Sequence, residues 1–259
     1  MVLIPLKGKK DYKFTKKLFC SFVWMNRKHI YLMPGMAASP KIFEFLAFPD
    51  PIVAHWLSWI PPYENETLKS YATRMCERIE HENPILIGVS FGGILVQDMA
   101  QLIPTEKVII ISSVKAREEL PLHMRMAQKT NLHKLLPLQW VENIESLALF
   151  AFGKAIKRRL SLYRRYLSER DAAYLKWSID QIVNWHPTAP TSNLIHIHGN
   201  EDSVFPIKSI QDPVLKIPGE HAMIITKKNW FNQHLPNIIL GSEVQENLHS
   251  NVSNKIPQS

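Results

Sequence analysis

The residue best placed for chemistry in this sequence is a serine enclosed by glycines. Gly88, Ser90 and Gly92 form the pattern G-x-S-x-G. Small residues beside the serine let a helix begin directly after a strand, and such a turn exposes the hydroxyl in a strained conformation. The positive N-terminal end of that helix would favour a developing oxyanion. The pattern therefore predicts a nucleophilic serine at position 90.

A serine nucleophile needs a base and an acid that orients the base, because its hydroxyl stays protonated at neutral pH. Where the serine lies on such an elbow, the acid follows it along the chain and the histidine comes last. Asp202 lies in the loop after one predicted strand, and His221 lies in the loop after the next. Their order and their places at strand ends predict a triad of Ser90, Asp202 and His221.

Other polar residues compete for roles at such a site. Asp180 falls on a predicted helix, where a solvated face is expected, and Asp212 precedes its strand at the wrong end of the sheet. We therefore prefer Asp202 as the acid. His196 and His198 share one strand face, as metal ligands can. No third ligand is evident from the sequence, which favours ordinary strand histidines.

Acyl transfer through a serine also needs two backbone N–H groups that hold the oxyanion. Phe91, the residue after the nucleophile, is expected to supply the first. The second is expected from the turn after an earlier strand, at Met36, because Gly35 lets the backbone turn inward.

Strands and helices must alternate to position these residues, and the sequence shows this alternation. Short apolar runs predict strands at residues 29–33, 52–60, 85–88, 107–114, 193–199 and 213–218. Helical spacing and capping residues predict helices that begin after Ser39, at Thr67 and after Gly93, and a last helix over residues 223–239. This order predicts an α/β fold with a doubly wound, mostly parallel sheet.

Composition divides the chain into four predicted parts. Residues 1–28 form a basic N-terminal arm, in which edge strands are left open. Residues 29–114 and 190–240 form the core, and residues 241–259 form a polar tail. Residues 115–189 are mostly helical in pattern, and we expect a cap over the carboxyl edge of the sheet. The alternative is a set of extra helices that pack on the side of the sheet.

Length, charge and cysteine content exclude several classes of protein. With 259 residues, 46% of them hydrophobic, the chain can form one full core. Cys20 and Cys76 give no disulfide framework, and no Cys/His spacing of a metal site occurs. The net charge of +8 is modest, and its basic runs lack the interleaved aromatic residues of a nucleic-acid module. These runs indicate solvated faces or an anionic partner, and we expect no cofactor, no metal and no nucleic acid.

The apolar runs are too short for a membrane protein. None approaches the roughly 20 residues that cross a bilayer. Residues 16–25 resemble a signal peptide, but their apolar part is short and no small-residue cleavage site follows. We therefore predict a cytoplasmic protein without a membrane span, and the oligomeric state stays open.

In these motifs the chain resembles the α/β-hydrolase superfamily, over about residues 29–239. Residues 88–92 match the family's nucleophile elbow, residues 198–202 match its acid loop, and residues 219–221 match its histidine loop. The resemblance implies an α/β-hydrolase sheet with a helical cap insertion.

Two features bear on which member of the superfamily the chain is similar to. Pro34-Gly35 stands where the family's common oxyanion motif begins His-Gly, so the backbone role is kept without a helpful side chain. Ser90 stands where family epoxide hydrolases and dehalogenases have an aspartate, which disfavours those chemistries.

We therefore expect a serine hydrolase of the carboxylic-ester type, which cleaves an ester or related acyl substrate through an acyl-enzyme. An acyltransferase, a thioesterase and a carbon–carbon bond hydrolase would use the same triad and remain alternatives, as does a non-catalytic interaction protein. An almost continuous apolar run at residues 147–152 predicts medium-length or bulky apolar acyl groups. The sequence leaves the identity of this small-molecule substrate open.

Overall fold

A computed structural model of the chain describes residues 27–130 and 165–241. Six strands in these residues form one sheet in the order β2-β1-β3-β4-β5-β6. The strands are β1 Lys28–Met33, β2 Ile52–Trp56, β3 Ile85–Val89, β4 Lys107–Ile111, β5 Leu194–Gly199 and β6 Leu215–Ile217. Every neighbouring pair is parallel. The predicted α/β class with a parallel sheet is therefore confirmed.

Helices connect and cover these strands. Those of the described residues are α1 Leu68–Cys76, α2 Phe91–Ala100, α3 Leu122–Thr130, α4 Ala172–Asn184, α5 Met223–Thr226 and α6 Lys228–Leu240. The predicted start of α1 is confirmed, because the Thr67 hydroxyl accepts a hydrogen bond from the Ser70 N–H at 3.2 Å. Within the described residues, no helix combines the length and apolar character needed to cross a bilayer.

The sheet order places a switch point at the carboxyl ends of β1 and β3. From β1 the chain moves outward to β2, and it then returns to the other side of β1 as β3. At such a point the loops after the two strands diverge and leave a crevice, where ligands of open α/β sheets bind. Gly35 follows β1 and Ser90 follows β3, so both predicted site residues lie at this crevice.

The middle of the sheet is the core of the molecule. All five residues of β3 are buried, and so are the last four of β4. Strands buried on both faces read as continuous apolar runs, which is why both were visible in the sequence. The loops that carry the predicted site residues thus begin on a rigid, fully packed support.

Three predicted strands are longer by several residues in the sequence pattern than in the structure, and of the one predicted over residues 213–218 only Leu215–Ile217 is strand. The strand predicted over residues 52–60 ends at Trp56. Beyond it, a side chain replaces a neighbouring strand as the hydrogen-bond partner of the backbone: the Tyr71 hydroxyl accepts from the N–H of Ile60 and donates to its carbonyl, both at 2.9 Å. The strand predicted over residues 107–114 ends at Ile111, because Ser112 has a φ of 49° and leaves the extended conformation.

Two predicted helices also differ. After Ser39 only one 3-10 turn forms, Pro40–Phe43, and the Ser39 hydroxyl makes no capping bond. The helix predicted over residues 223–239 is interrupted at Lys227, whose φ of −114° and ψ of 29° separate α5 from α6.

Only part of the predicted cap can be described. Its described residues, 115–130 and 165–189, contain α3 and α4, which pack against each other, and contain no strand. The apolar run at residues 147–152, the basic arm up to residue 26 and the tail from residue 242 lie outside the described residues. The division into core, cap and tail therefore stays a prediction.

Gly92→Ala should destabilise the fold although it improves the helix. A Cβ at Gly92 would lie 2.4 Å from the carbonyl oxygen of Pro34 and 2.5 Å from that of Met33, which are backbone atoms that cannot turn away. In an open helix, alanine would be about 1 kcal/mol better than glycine. We expect instead a loss of about 1–3 kcal/mol in the free energy of unfolding, measured by urea denaturation. An increase would show that α2 does not approach β1 so closely.

Candidate active site

Ser90 joins the last residue of β3 to the first residue of α2. Its φ is 52° and its ψ is −120°, a strained conformation for a residue with a Cβ. Backbone contacts hold it there: its N–H donates to the Ile111 carbonyl at 2.9 Å, and its carbonyl accepts from the Ser113 hydroxyl at 2.8 Å. A Cβ at Gly88 would lie 2.3 Å from the Gly92 carbonyl oxygen, so the elbow closes only around glycine.

The structure brings Ser90, His221 and Asp202 into contact. His221 Nε2 lies 2.9 Å from Ser90 Oγ, and His221 Nδ1 lies 2.8 Å from Asp202 Oδ2. A carboxylate only accepts hydrogen bonds, so Nδ1 carries the proton and Nε2 is left to accept from the serine hydroxyl. This arrangement can remove a proton from Ser90 and hold it on a stabilised imidazolium.

Asp202 is buried and ionised. Its Oδ1 accepts hydrogen bonds from the N–H groups of Val204 at 2.8 Å and Phe205 at 2.9 Å. Burial by itself raises the pKa of Asp202, but the charge and hydrogen bond of His221, with the further contributions of His198 and Phe205, lower the pKa below its ordinary value. Asp202 therefore presents a negative charge to His221 throughout the neutral range.

The loops that carry the acid and the histidine are tied to each other. A Cβ at Gly199 would lie 2.3 Å from the carbonyl oxygen of Gly219, so the ends of β5 and β6 approach very closely. The Glu201 N–H donates to that same carbonyl at 2.9 Å, and the Gly219 N–H donates to Asn200 Oδ1 at 3.3 Å. These contacts fix the separation between Asp202 and His221.

Two further histidines form a chain behind Asp202. His198 Nε2 donates to the Phe205 carbonyl at 2.8 Å and lies 3.5 Å from Asp202 Oδ2, and His198 Nδ1 lies 3.0 Å from His196 Nε2. Burial lowers the pKa of His198 and lowers that of His196 to about 2, so both rings stay neutral. The contact of His198 with Asp202 was missed in the sequence, where its only signal is a position four residues before the acid.

The rival acids lie elsewhere. Asp212 is exposed and pairs with Lys216 at 3.4 Å. Asp180 accepts hydrogen bonds within its own helix, from Asn184 at 3.0 Å and Gln181 at 3.3 Å. Of the three candidates, Asp202 is the one bonded to His221 Nδ1.

Met36 and Phe91 lie beside Ser90, and one aromatic side chain connects their segments. Phe91 is the first residue of α2, and Met36 lines the same cavity as Ser90. Trp59 Nε1 donates to the Gly35 carbonyl at 2.9 Å, and its ring stacks on that of Phe91 at 4.9 Å. The role of the two N–H groups stays a prediction.

A cavity with mostly apolar walls opens onto Ser90 and His221. The helices of the predicted cap supply Met124 from α3 and Ile179 and Ile182 from α4. Its other apolar lining residues include Ile42, Val89, Leu167, Val204, Phe205, Ile224 and Ile225. The site can therefore hold an apolar group within reach of the serine.

Comparison with known proteins gives a structural match without a sequence match. No protein-family model matches the chain, and no curated protein does. A hydrolase from Oleispira antarctica has a TM-score of 0.63 at 13% identity, over 83% of this chain and 92% of that protein. A hydrolase from Pseudomonas aeruginosa has a TM-score of 0.62 at 15% identity, over 83% and 90%. An enol-lactonase from Burkholderia xenovorans has a TM-score of 0.58 at 13% identity, over 83% and 92%.

These similarities cover more than four fifths of this chain, at identities that are evidence for the fold alone. The predicted resemblance agrees with them. The chain has the fold of the α/β-hydrolase superfamily.

Proposed function

We propose that the protein is a serine hydrolase that cleaves an ester or a related acyl bond. The observation that carries the proposal is the continuous hydrogen-bonded chain from Ser90 Oγ through His221 to Asp202. The strained backbone of Ser90 supports it, because such a conformation costs about 1–3 kcal/mol and persists where function needs it. A non-catalytic interaction protein would need neither feature.

In the proposed reaction, Ser90 Oγ attacks the carbonyl carbon while His221 Nε2 takes the hydroxyl proton. The tetrahedral intermediate places its negative oxygen near the N–H groups of Phe91 and Met36. His221 then gives its proton to the leaving alcohol oxygen, the carbon–oxygen bond breaks, and an acyl-enzyme remains.

A water molecule reverses these roles in the second half. It loses a proton to His221 Nε2 and attacks the acyl carbon, and the proton returns to Ser90 Oγ as the acid is released. Asp202 keeps its charge throughout and stabilises the imidazolium that forms twice in each cycle. In this step water accepts the acyl group. An acyltransferase would use another acceptor, and a thioesterase would release a different leaving group, but both would use the same geometry.

The cavity supports an apolar acyl group as the substrate class. Its described walls place aliphatic side chains next to Ser90, with no charged residue among those that line it apart from His221 when protonated. Each methylene that leaves water contributes about 0.8 kcal/mol. A longer acyl chain should therefore be preferred until the cavity is full.

Ser90→Ala should abolish hydrolysis and labelling by a fluorophosphonate, with the fold retained. The change removes one hydroxyl and leaves the elbow backbone in place, and the loss in kcat should be about 10⁴-fold or more. Ser70→Ala, on the exposed surface of α1, is the matched control and should be labelled like the wild type. Turnover of the Ser90 variant at the wild-type rate would refute the proposal.

Asp202→Asn should lower kcat by roughly 10⁴-fold, because an amide can donate to Nδ1 and stabilise the wrong tautomer of His221. Asp212→Asn and Asp180→Asn likewise replace a carboxylate by an amide of similar size, and their kcat should stay within a few-fold of the wild type. Circular dichroism checks that each variant is folded. Inactivity of Asp180→Asn with an active Asp202→Asn would move the acid to α4.

For p-nitrophenyl esters, kcat/KM should rise several-fold with each added carbon between two and eight acyl carbons. Ile179→Trp should narrow the cavity and lower kcat/KM for the octanoyl ester more than for the acetyl ester. A flat or falling series in the wild type would show that this apolar surface serves packing and not substrate binding.

A further inference from the structure

Three histidines meet on the sheet at a distance from the candidate active site. His29 lies near the start of β1, His55 lies on β2, and His81 lies between α1 and β3. All three are partly buried, and one ring nitrogen from each lies within 4.8 Å of those of the other two. They come together through the sheet register, in which His55 is opposite Tyr31, two residues after His29.

The rings are already in mutual contact. His29 Nδ1 lies 2.9 Å from His55 Nε2, so these two nitrogens share one proton. The rings of His29 and His81 stack with centroids 3.5 Å apart. Such close imidazoles cannot all be protonated, because their charges would repel one another at short range.

The Tyr31 side chain contacts two of these rings. The Tyr31 ring stacks on His55 at 4.5 Å, and its hydroxyl lies 2.7 Å from His81 Nδ1. The same hydroxyl accepts the Glu80 N–H at 3.0 Å. A hydrogen-bond partner of this kind fixes the orientation of a ligating histidine.

The surroundings of the cluster disfavour protonation of His29 and His55. Burial, then the neighbouring imidazoles, lower the pKa of His29, and Arg27 lowers it further. Burial and His81 also lower the pKa of His55, against a smaller opposite effect of the Glu80 carboxylate. Neutral imidazole is the form that binds a metal, and borderline divalent cations such as Zn²⁺ prefer it.

We propose that His29, His55 and His81 bind one divalent transition-metal cation of the zinc type, with water at a fourth position. Ligand nitrogens at about 2.0–2.1 Å from Zn²⁺ lie roughly 3.3 Å apart in a tetrahedron. The bonded pair must open slightly, and His81 must rotate out of its stack on His29 and move closer, because the lone pair of an imidazole nitrogen lies in the ring plane. All three side chains are partly exposed, which leaves room for these rotations. The cation would replace the proton that His29 and His55 share.

Such a cation would connect three separate segments of the fold. It would bind β2, which lies at one edge of the described sheet, to β1 and to the segment that leads into β3. The sequence gives no sign of this site, because the three histidines are spaced by 26 residues each and form no local motif. The site is independent of the proposed hydrolase reaction.

The test is a titration of the whole chain, freed of metal by a chelator, with Zn²⁺ in a calorimeter and with Co²⁺ in a spectrophotometer. We expect binding of one equivalent in the micromolar range or below, and a visible Co²⁺ spectrum typical of four-coordinate nitrogen and oxygen ligands. His81→Ala changes a residue outside the strands and should weaken binding by more than about 100-fold. His55→Ala should do the same.

Control variants separate this site from other histidines. His123→Ala, on the exposed surface of α3, and Ser90→Ala, in the proposed catalytic centre, should both bind Zn²⁺ like the wild type. If His81→Ala is poorly folded by circular dichroism, Tyr31→Phe is the second variant, and it should weaken binding about tenfold. Absence of one-equivalent binding, or unchanged binding in the folded histidine variants, would overturn the proposal.

Discussion

The site depends on the close approach of backbone to backbone at the elbow after β3. Gly88 faces the carbonyl of Gly92, and Gly92 in turn faces the carbonyls of Met33 and Pro34, at distances that leave no room for a Cβ. This contact brings the start of α2 onto the end of β1 and turns Ser90 out of the sheet at a φ of 52°. Ser90, the N-terminus of α2 and the turn that carries Met36 therefore share one small region of backbone.

A second close approach, between Gly199 and Gly219, positions Asp202 and His221, as the elbow positions Ser90. The two are independent, since they involve different strands, and the hydrogen bond between His221 and Ser90 joins them. The neutral pair His196 and His198 then fills the space behind Asp202 without adding charge. The electrostatics of the site thus come from one carboxylate, held by backbone N–H groups.

Much of this could be predicted from the sequence, because it follows from local patterns. Strands buried on both faces give apolar runs, and glycines around a serine give the elbow, so β3, the helix after it and the turn between them could be predicted, although α2 begins at Phe91 and not after Gly93. Long-range contacts were not visible. The strand that begins at residue 52 ends early because the Tyr71 hydroxyl forms hydrogen bonds with the backbone that follows it. The helix after Ser39 is only one turn. The histidine cluster was missed for the same reason: its members are neighbours through the sheet register and not along the chain.

Part of the cavity wall comes from segments other than those around Ser90 and His221. Met124 and Ile179 project from helices that lie outside the loops held by the paired glycines. Over evolutionary time, exchange of such wall residues would alter the shape of the cavity without disturbing the backbone contacts that position Ser90 and His221. Substitutions should therefore be tolerated better at Met124 and Ile179 than at Gly88, Gly92 and Gly199, where a Cβ would meet backbone atoms, so that related chains could vary the shape of this cavity while they keep the elbow.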